Sequence, residues 1–220
     1  MKKPLAALLL ALLSATAMAD DGKLEPAVAD IAHRWARINY QAPAKEHAKA
    51  FKELAEQADK LVVAEPGKPQ PLVWEAIVLA SYAKANGGLG ALSAAKLARD
   101  LLLAAEKIDP QTLHGSVYTS LGSLYGKVPG WPIGFGDKDQ ARKYLETALK
   151  MNPKGIDAHY FYADYLADKG DYAGAVEHLQ QALAAPPRPG REDADAGRHK
   201  DVQALLDEIR SKHADKLTAK

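Results

Sequence analysis

None of the 220 residues is cysteine. That removes disulfides, thiolate nucleophiles, sulfur ligands for metals and a cysteine-linked lipid at a mature start. Nor is there a dense run of lysine and arginine: the formal charge is +1, which makes no phosphate-binding field and excludes nucleic acid as a partner. Catalytic signatures are missing too. Gly-x-Ser-x-Gly, His-Glu-x-x-His, a Walker loop and a GxGxxG opening a helix after a strand are all absent, and the seven histidines stand at no metal-ligand spacing. No enzyme, cofactor or metal site is expected. Long apolar runs are likewise scarce. The one at Leu5 to Leu13 is too short to span a bilayer, which takes roughly 20 apolar residues. Preceded by Met1, Lys2 and Lys3 and followed by Ala17-Met18-Ala19, it reads as a secretory signal peptide over residues 1–19, cleaved after Ala19. A soluble periplasmic protein without a transmembrane anchor is expected. Loss of Lys2 and Lys3 takes the charge from +1 to 1 minus 2, or −1.

What the chain does contain is a repeat. Gly136 to Pro153 set against Gly170 to Pro187 matches at an offset of thirty-four in Gly, Asp, Ala, Leu, Ala, Leu and Pro, the period of a helix-turn-helix solenoid unit. Ala141, Leu145 and Ala148, like Ala175, Leu179 and Ala182, are four and then three apart, which puts each trio on one helical face. The alanines admit a neighbouring helix closely and the leucine fills between them. Gly136-Asp137 and Gly170-Asp171 read as a stop followed by an N-cap, with Gln140 completing a capping box in the first copy. Pro153 and Pro187 end the units.

Before each of these helices lies another. His159, Tyr162, Ala163 and Leu166, and one unit earlier Tyr118, Leu121, Gly122 and Tyr125, fall where a tetratricopeptide repeat places the core of its first helix. The sequence resembles that family. Gly122 and Ala163 are then the close-approach points within a hairpin. Ala98, Leu102, Ala105 and Pro110 repeat the spacing of Ala141, Leu145, Ala148 and Pro153 and mark the second helix of an earlier unit. Further upstream, Val28, Ile31, Ala32, Trp35 and Ile38, and then Phe51, Leu54, Ala55, Ala58, Leu61 and Val62, give two amphipathic helices. The stretch from Leu72 to Asn86 is apolar on most faces and should be largely buried.

The expected fold is all-α: a right-handed, tetratricopeptide-like helical-hairpin solenoid of about nine helices. Residues 20–190 form the repeat domain, with a degenerate hairpin at 25–65 and units at about 70–110, 113–153 and 156–187. Residues 191–220 are a linker and a capping helix. That helix begins near Lys200, shows Val202, Leu205, Leu206 and Ile209 on one face, and frays from Ser211.

Two regions are candidates for binding. The resemblance implies a concave groove lined by first helices, which selects Ser116, Thr119, Ser123 and Lys127 in one unit and Asp157, Tyr160, Asp164 and Asp168 in the next. A tyrosine among aspartates can offer a ring face and charged acceptors to a partner protein or peptide, or can be a solvated acidic face. The second region is Val128 to Gly136, the extra length in a period of forty-three between Pro110 and Pro153. With Trp131, Ile133 and Phe135 it should fold back onto the helices as a plug, or wall an apolar small-molecule pocket. From Tyr125 to Tyr144 the chain is similar to the T component that works beside tripartite (TRAP-type) solute transporters, which implies a small apolar ligand. A periplasmic protein-interaction module is the leading reading and a carrier the alternative.

If the last helix caps the solenoid, truncation before Asp201 should expose the Tyr162 to Leu183 unit and lower solubility and heat stability. Equal solubility and an unchanged thermal midpoint in the truncated chain would overturn the capping role.

Overall fold

The computed structural model describes residues 24–218; the signal-peptide reading lies outside them. Eight helices follow one another as four hairpins: α1 (Pro26–Gln41) with α2 (His47–Ala64), α3 (Pro69–Asn86) with α4 (Gly88–Ile108), α5 (Thr112–Lys127) with α6 (Lys138–Met151), and α7 (Ile156–Asp168) with α8 (Tyr172–Leu183). Each hairpin also packs on the next through α2 and α3, α4 and α5, and α6 and α7, the neighbour-on-neighbour stacking of a helical repeat array. Two further helices, α9 (Glu192–Lys212) and the short α10 (Ala214–Thr218), complete the described chain. No strand occurs among the described residues, and no helix there is long and apolar enough to cross a membrane.

The alanine and leucine spacing does the packing expected of it. Ala141, Leu145, Ala148, Ala175, Leu179 and Ala182 are all buried. Gly122 is required by contact: a Cβ there would stand 2.5 Å from Leu145 Cγ, so the leucine of α6 lies directly on the backbone of α5. Asp137 accepts from the backbone N–H groups of Asp139 and Gln140, and Asp171 from that of Gly174, satisfying donors that a helix start leaves open. The capping box is only half made, because the Asp137 N–H goes to the Tyr125 carbonyl. His159 is buried between α7 and α8, where its Nε2–H donates to the Pro153 carbonyl at 3.0 Å. Its Nδ1 then accepts from Nδ1 of His178 at 2.9 Å.

Two departures concern the C-terminal end. Of residues 191–200, expected to be a charged linker, all after Arg191 are helical, so α9 starts eight residues before Lys200. They carry almost no apolar periodicity, but Glu192, Asp193 and Asp195 crowd the first turn, where the helix dipole favours acids. Ala214–Thr218, expected to fray, forms α10 and packs on α8 and α9. The reason is aromatic: Tyr172 stacks on His213 at 3.8 Å and receives the Lys216 ammonium 5.3 Å from its ring centroid.

A buried acid interrupts the apolar surface of α3. Glu75 is 4% exposed and its Oε2 has no hydrogen-bond partner; burial, with a smaller push from the negative charge of Asp59, raises its carboxyl to about 7. The folded chain therefore holds a proton that the unfolded chain has released, and stability falls as pH rises from about 4.5 to 7. Glu75→Gln should raise the thermal midpoint by about 2–4 °C at pH 8 and change it little below pH 4.5. Equal midpoints at pH 8 would show that the acid is accommodated without cost.

Candidate functional site

The first helices of the hairpins, α1, α3, α5 and α7, touch in series and line the inner side of the array. Through α9 the chain fills this side itself. A helix of 21 residues is about 31 Å long, and this one meets α1 at one end of the array and α7 and α8 at the other. The two halves of α9 are chemically different. Val202, Leu206 and Ile209 pack with Ile156, Ala163, Ala175, Leu179 and Ala182, while the residues from Glu192 to Asp201 meet α1 and α7 largely through polar and charged groups.

At the centre of that polar half stands Arg198, 8% exposed. Its Nε donates to Asp157 Oδ1 at 2.7 Å and its Nη1 to Asp201 Oδ2 at 2.9 Å. The guanidinium plane covers Tyr160 and Phe161, 4.5 and 4.8 Å from their ring centroids. The other oxygen of Asp157 accepts from Arg188 Nη1 at 2.7 Å, and Arg188 also donates from Nε and from its backbone N–H to Asp195. Burial alone would push the Asp157 carboxyl up; the guanidinium charges of Arg188 and Arg198 outweigh it and hold the group far below the usual carboxylate range. Around this pair Tyr40 donates to Asp201 at 3.2 Å, His33 meets Asp193 at 2.9 Å, and the Arg191 guanidinium lies 4.9 Å from the Trp74 ring centroid. Gly197 passes so close to Tyr40 that a Cβ would stand 2.1 Å from its Cδ2.

The groove residues expected to meet a partner are thus already engaged. Asp157 and Tyr160 hold α9. Asp164 and Asp168 bind Lys127 of α5 at 2.9 and 2.7 Å, an ion pair across two neighbouring first helices. Thr119 is buried, and Ser116 and Ser123 are half-buried. Arg188, Arg198, Asp195, Asp201 and Tyr40 do not emerge from the family pattern, because four of them lie after the last repeat and Tyr40 lies near the end of the first helix of a degenerate hairpin. The acid-rich first turn of α9 is the one signal in the sequence that locates the helix carrying most of them.

The long turn between α5 and α6 also differs from expectation. Phe135 does fold back, edge-on to Tyr125 at 5.4 Å and under the Arg99 guanidinium at 4.5 Å. Trp131 and Ile133 do not: they are 90% and 69% exposed. The backbone accounts for this. The Gly130 carbonyl accepts from the N–H groups of Ile133 and Gly134, and the Pro129 carbonyl from that of Gly136, so the two arms of the turn are tied together. A Cβ at Gly136 would fall 1.8 Å from the Val128 carbonyl oxygen; arms this close leave no room beneath the tip for a second and third large side chain. Trp131 stands in solvent instead of walling an enclosed space. A small cavity of about 50 Å³ at the starts of α5 and α7 is bounded by His114, Ser116, Asn152, Asp157 and Arg188 among others. Beside it Leu113, His114 and Gly115 are three successive residues of left-handed backbone, so the regular part of α5 begins only after them.

Removing the charge of Asp157 leaves one buried and one half-buried guanidinium, Arg198 and Arg188, facing a neutral group. Asp157→Asn should cost about 3 kcal/mol at pH 7, read by denaturant unfolding. Because the folded carboxyl is depressed, its stabilisation is complete above about pH 4 and is lost as pH falls below that. The difference between variant and parent should therefore shrink at pH 3. A loss below about 0.5 kcal/mol at pH 7 would mean that solvent screens the pair as it does at a surface.

Comparison with known proteins agrees with the architecture. A tetratricopeptide repeat family model matches residues 133–189. A crystal structure of TTC0263, a thermophilic TPR protein of Thermus thermophilus, superposes with a TM-score of 0.55 at 16% identity, covering 82% of this chain and 87% of that one. The crystal structure of MamA aligns over 79% of this chain and 99% of its own at 17% identity, with a TM-score of 0.41. Among curated proteins there is no match. Residues 133–189 match a tetratricopeptide repeat, and the described residues form an all-α helical-hairpin solenoid with the fold of a TPR protein.

Proposed function

We propose that this chain is an exported, periplasmic protein-interaction module that meets its partner through the Trp131 to Ile133 turn. A tetratricopeptide array is an interaction scaffold, and the signal-like start of the sequence supports export. The observation that carries the reading is the 90% exposure of Trp131 on a turn held by its own backbone hydrogen bonds and by the inward Phe135. Large aromatic side chains at interfaces concentrate binding energy, and a braced turn loses little freedom on docking. With Ile133 beside it in sequence, also exposed, Trp131 offers an apolar anchor to a pocket on another protein. Nothing favours a carrier of small apolar molecules, since Trp131 and Phe135 enclose no apolar cavity.

A photo-reactive residue in place of Trp131 should give a covalent adduct with a second polypeptide in periplasmic extract. Trp131→Ala should abolish retention of that polypeptide while leaving the thermal midpoint within about 2 °C, as expected for an exposed side chain. Retention of the same polypeptide by Trp131→Ala, or absence of any adduct at position 131, would overturn the assignment of the contact to this turn.

A further inference from the structure

The inner face of the array is a built receptor for a helix, and its chemistry can be read from the helix it holds. A carboxylate, Asp157, and two aromatic faces, Tyr160 and Phe161, enclose one guanidinium; the Tyr40 ring lies against a residue that must be glycine. The occupying segment presents Ala194, Gly197, Arg198 and Asp201, spaced three, one and three apart on one helical face.

This segment is fastened unlike the rest of α9. Its only buried apolar side chain is the methyl group of Ala194, whereas the following half buries Val202, Leu206 and Ile209. Ion pairs and hydrogen bonds to other parts of the chain hold the first half: Arg198 with Asp157, Asp195 with Arg188, Asp193 with His33, and Asp201 with Tyr40. Water and a competing helix can replace such contacts one for one, and their net value is small because both ions give up hydration to form them. The connection from α8 is non-helical and carries Pro186, Pro187 and Pro189, all largely solvent-exposed, with Arg188 as its tie to Asp157 and Asp195.

We propose that the inner face binds a helical segment of a partner protein carrying an arginine directly preceded by a small residue, and that Glu192 to Asp201 is the resident occupant it displaces. The second half of α9 stays docked on α8 during the exchange. This site is independent of the Trp131 turn, and either assignment can fail without the other.

The test uses the full chain and a labelled peptide with the sequence of residues 188–209. In Arg198→Met the resident segment has lost its guanidinium, so the peptide should bind at least tenfold more tightly than to the parent chain, whose site is mostly occupied. Adding Asp157→Asn, or replacing the arginine at position 198 of the peptide by lysine, should remove most of that gain, since lysine cannot make the stacked, directional contact. Should Arg198→Met not fold, Gly197→Val serves, because its side chain collides with Tyr40 and evicts the segment. Hydrogen exchange on the parent chain gives a reading without substitution: amides of 192–201 should exchange at least tenfold faster than those of 202–209. Peptide binding that is no tighter in either variant, or that survives Asp157→Asn, overturns the proposal. So does exchange of the two halves of α9 at one common rate.

Discussion

An arginine and an aspartate taken out of water together are tolerated only if each keeps its hydrogen bonds, and the placement of α9 follows from that requirement. Arg198 can reach Asp157 only when α9 lies along α7, and Tyr40 can reach Asp201 only when α1 comes round to the same helix. Arg188 donates to the second oxygen of Asp157 and fixes the approach of the chain into α9 through Asp195. A pair of this kind adds little net free energy compared with apolar packing, but it has a narrow geometry. It specifies which way the array curves and which residue of α9 stands at its centre.

The repeats themselves need no such device. Their hairpins are held by alanine, leucine and glycine at spacings that leave one close-packed arrangement, seen most clearly where Leu145 lies on the backbone of Gly122. Shape complementarity over short sequence separations explains why the hairpins form. It leaves open what covers the inner face, which in this chain falls to a helix outside the repeat pattern.

That division also explains how much could be read from the sequence. Hairpin boundaries, the Asp137 and Asp171 caps and the buried alanines announce themselves through periodic apolar residues and turn chemistry, because the surfaces they meet are apolar. The N-terminal half of α9 meets a polar surface, so its buried positions are Ala194, Asp195, Gly197 and Arg198, a set that resembles a solvated stretch by composition. Tyr160 and Asp157 were recognisable as groove residues from their register, but register cannot say who occupies a groove. The exposed Trp131 was obscure for a related reason: aromatic content argues for burial on average, and only the ties between Val128 and Gly136 show that the turn has no interior to bury it in.

The contact between His33 and Asp193 joins residues 160 positions apart. An open array of repeats behaves as a one-dimensional lattice, in which each unit gains from its neighbours and either end can fray alone. Here the ends are coupled through α9 for as long as its first half is docked, and in that state loosening of the first hairpin disturbs the contacts of Asp193 and Asp201. Cooperativity rises, and so does contact order: loop closure over nearly the whole polypeptide must be met before the final contacts reward it. During synthesis the N-terminal hairpins emerge long before the segment that completes them. For that interval Trp74 and Tyr40 lack Arg191 and Gly197, which lie against them in the folded chain, the state in which a nascent chain of this design depends most on being kept apart from others.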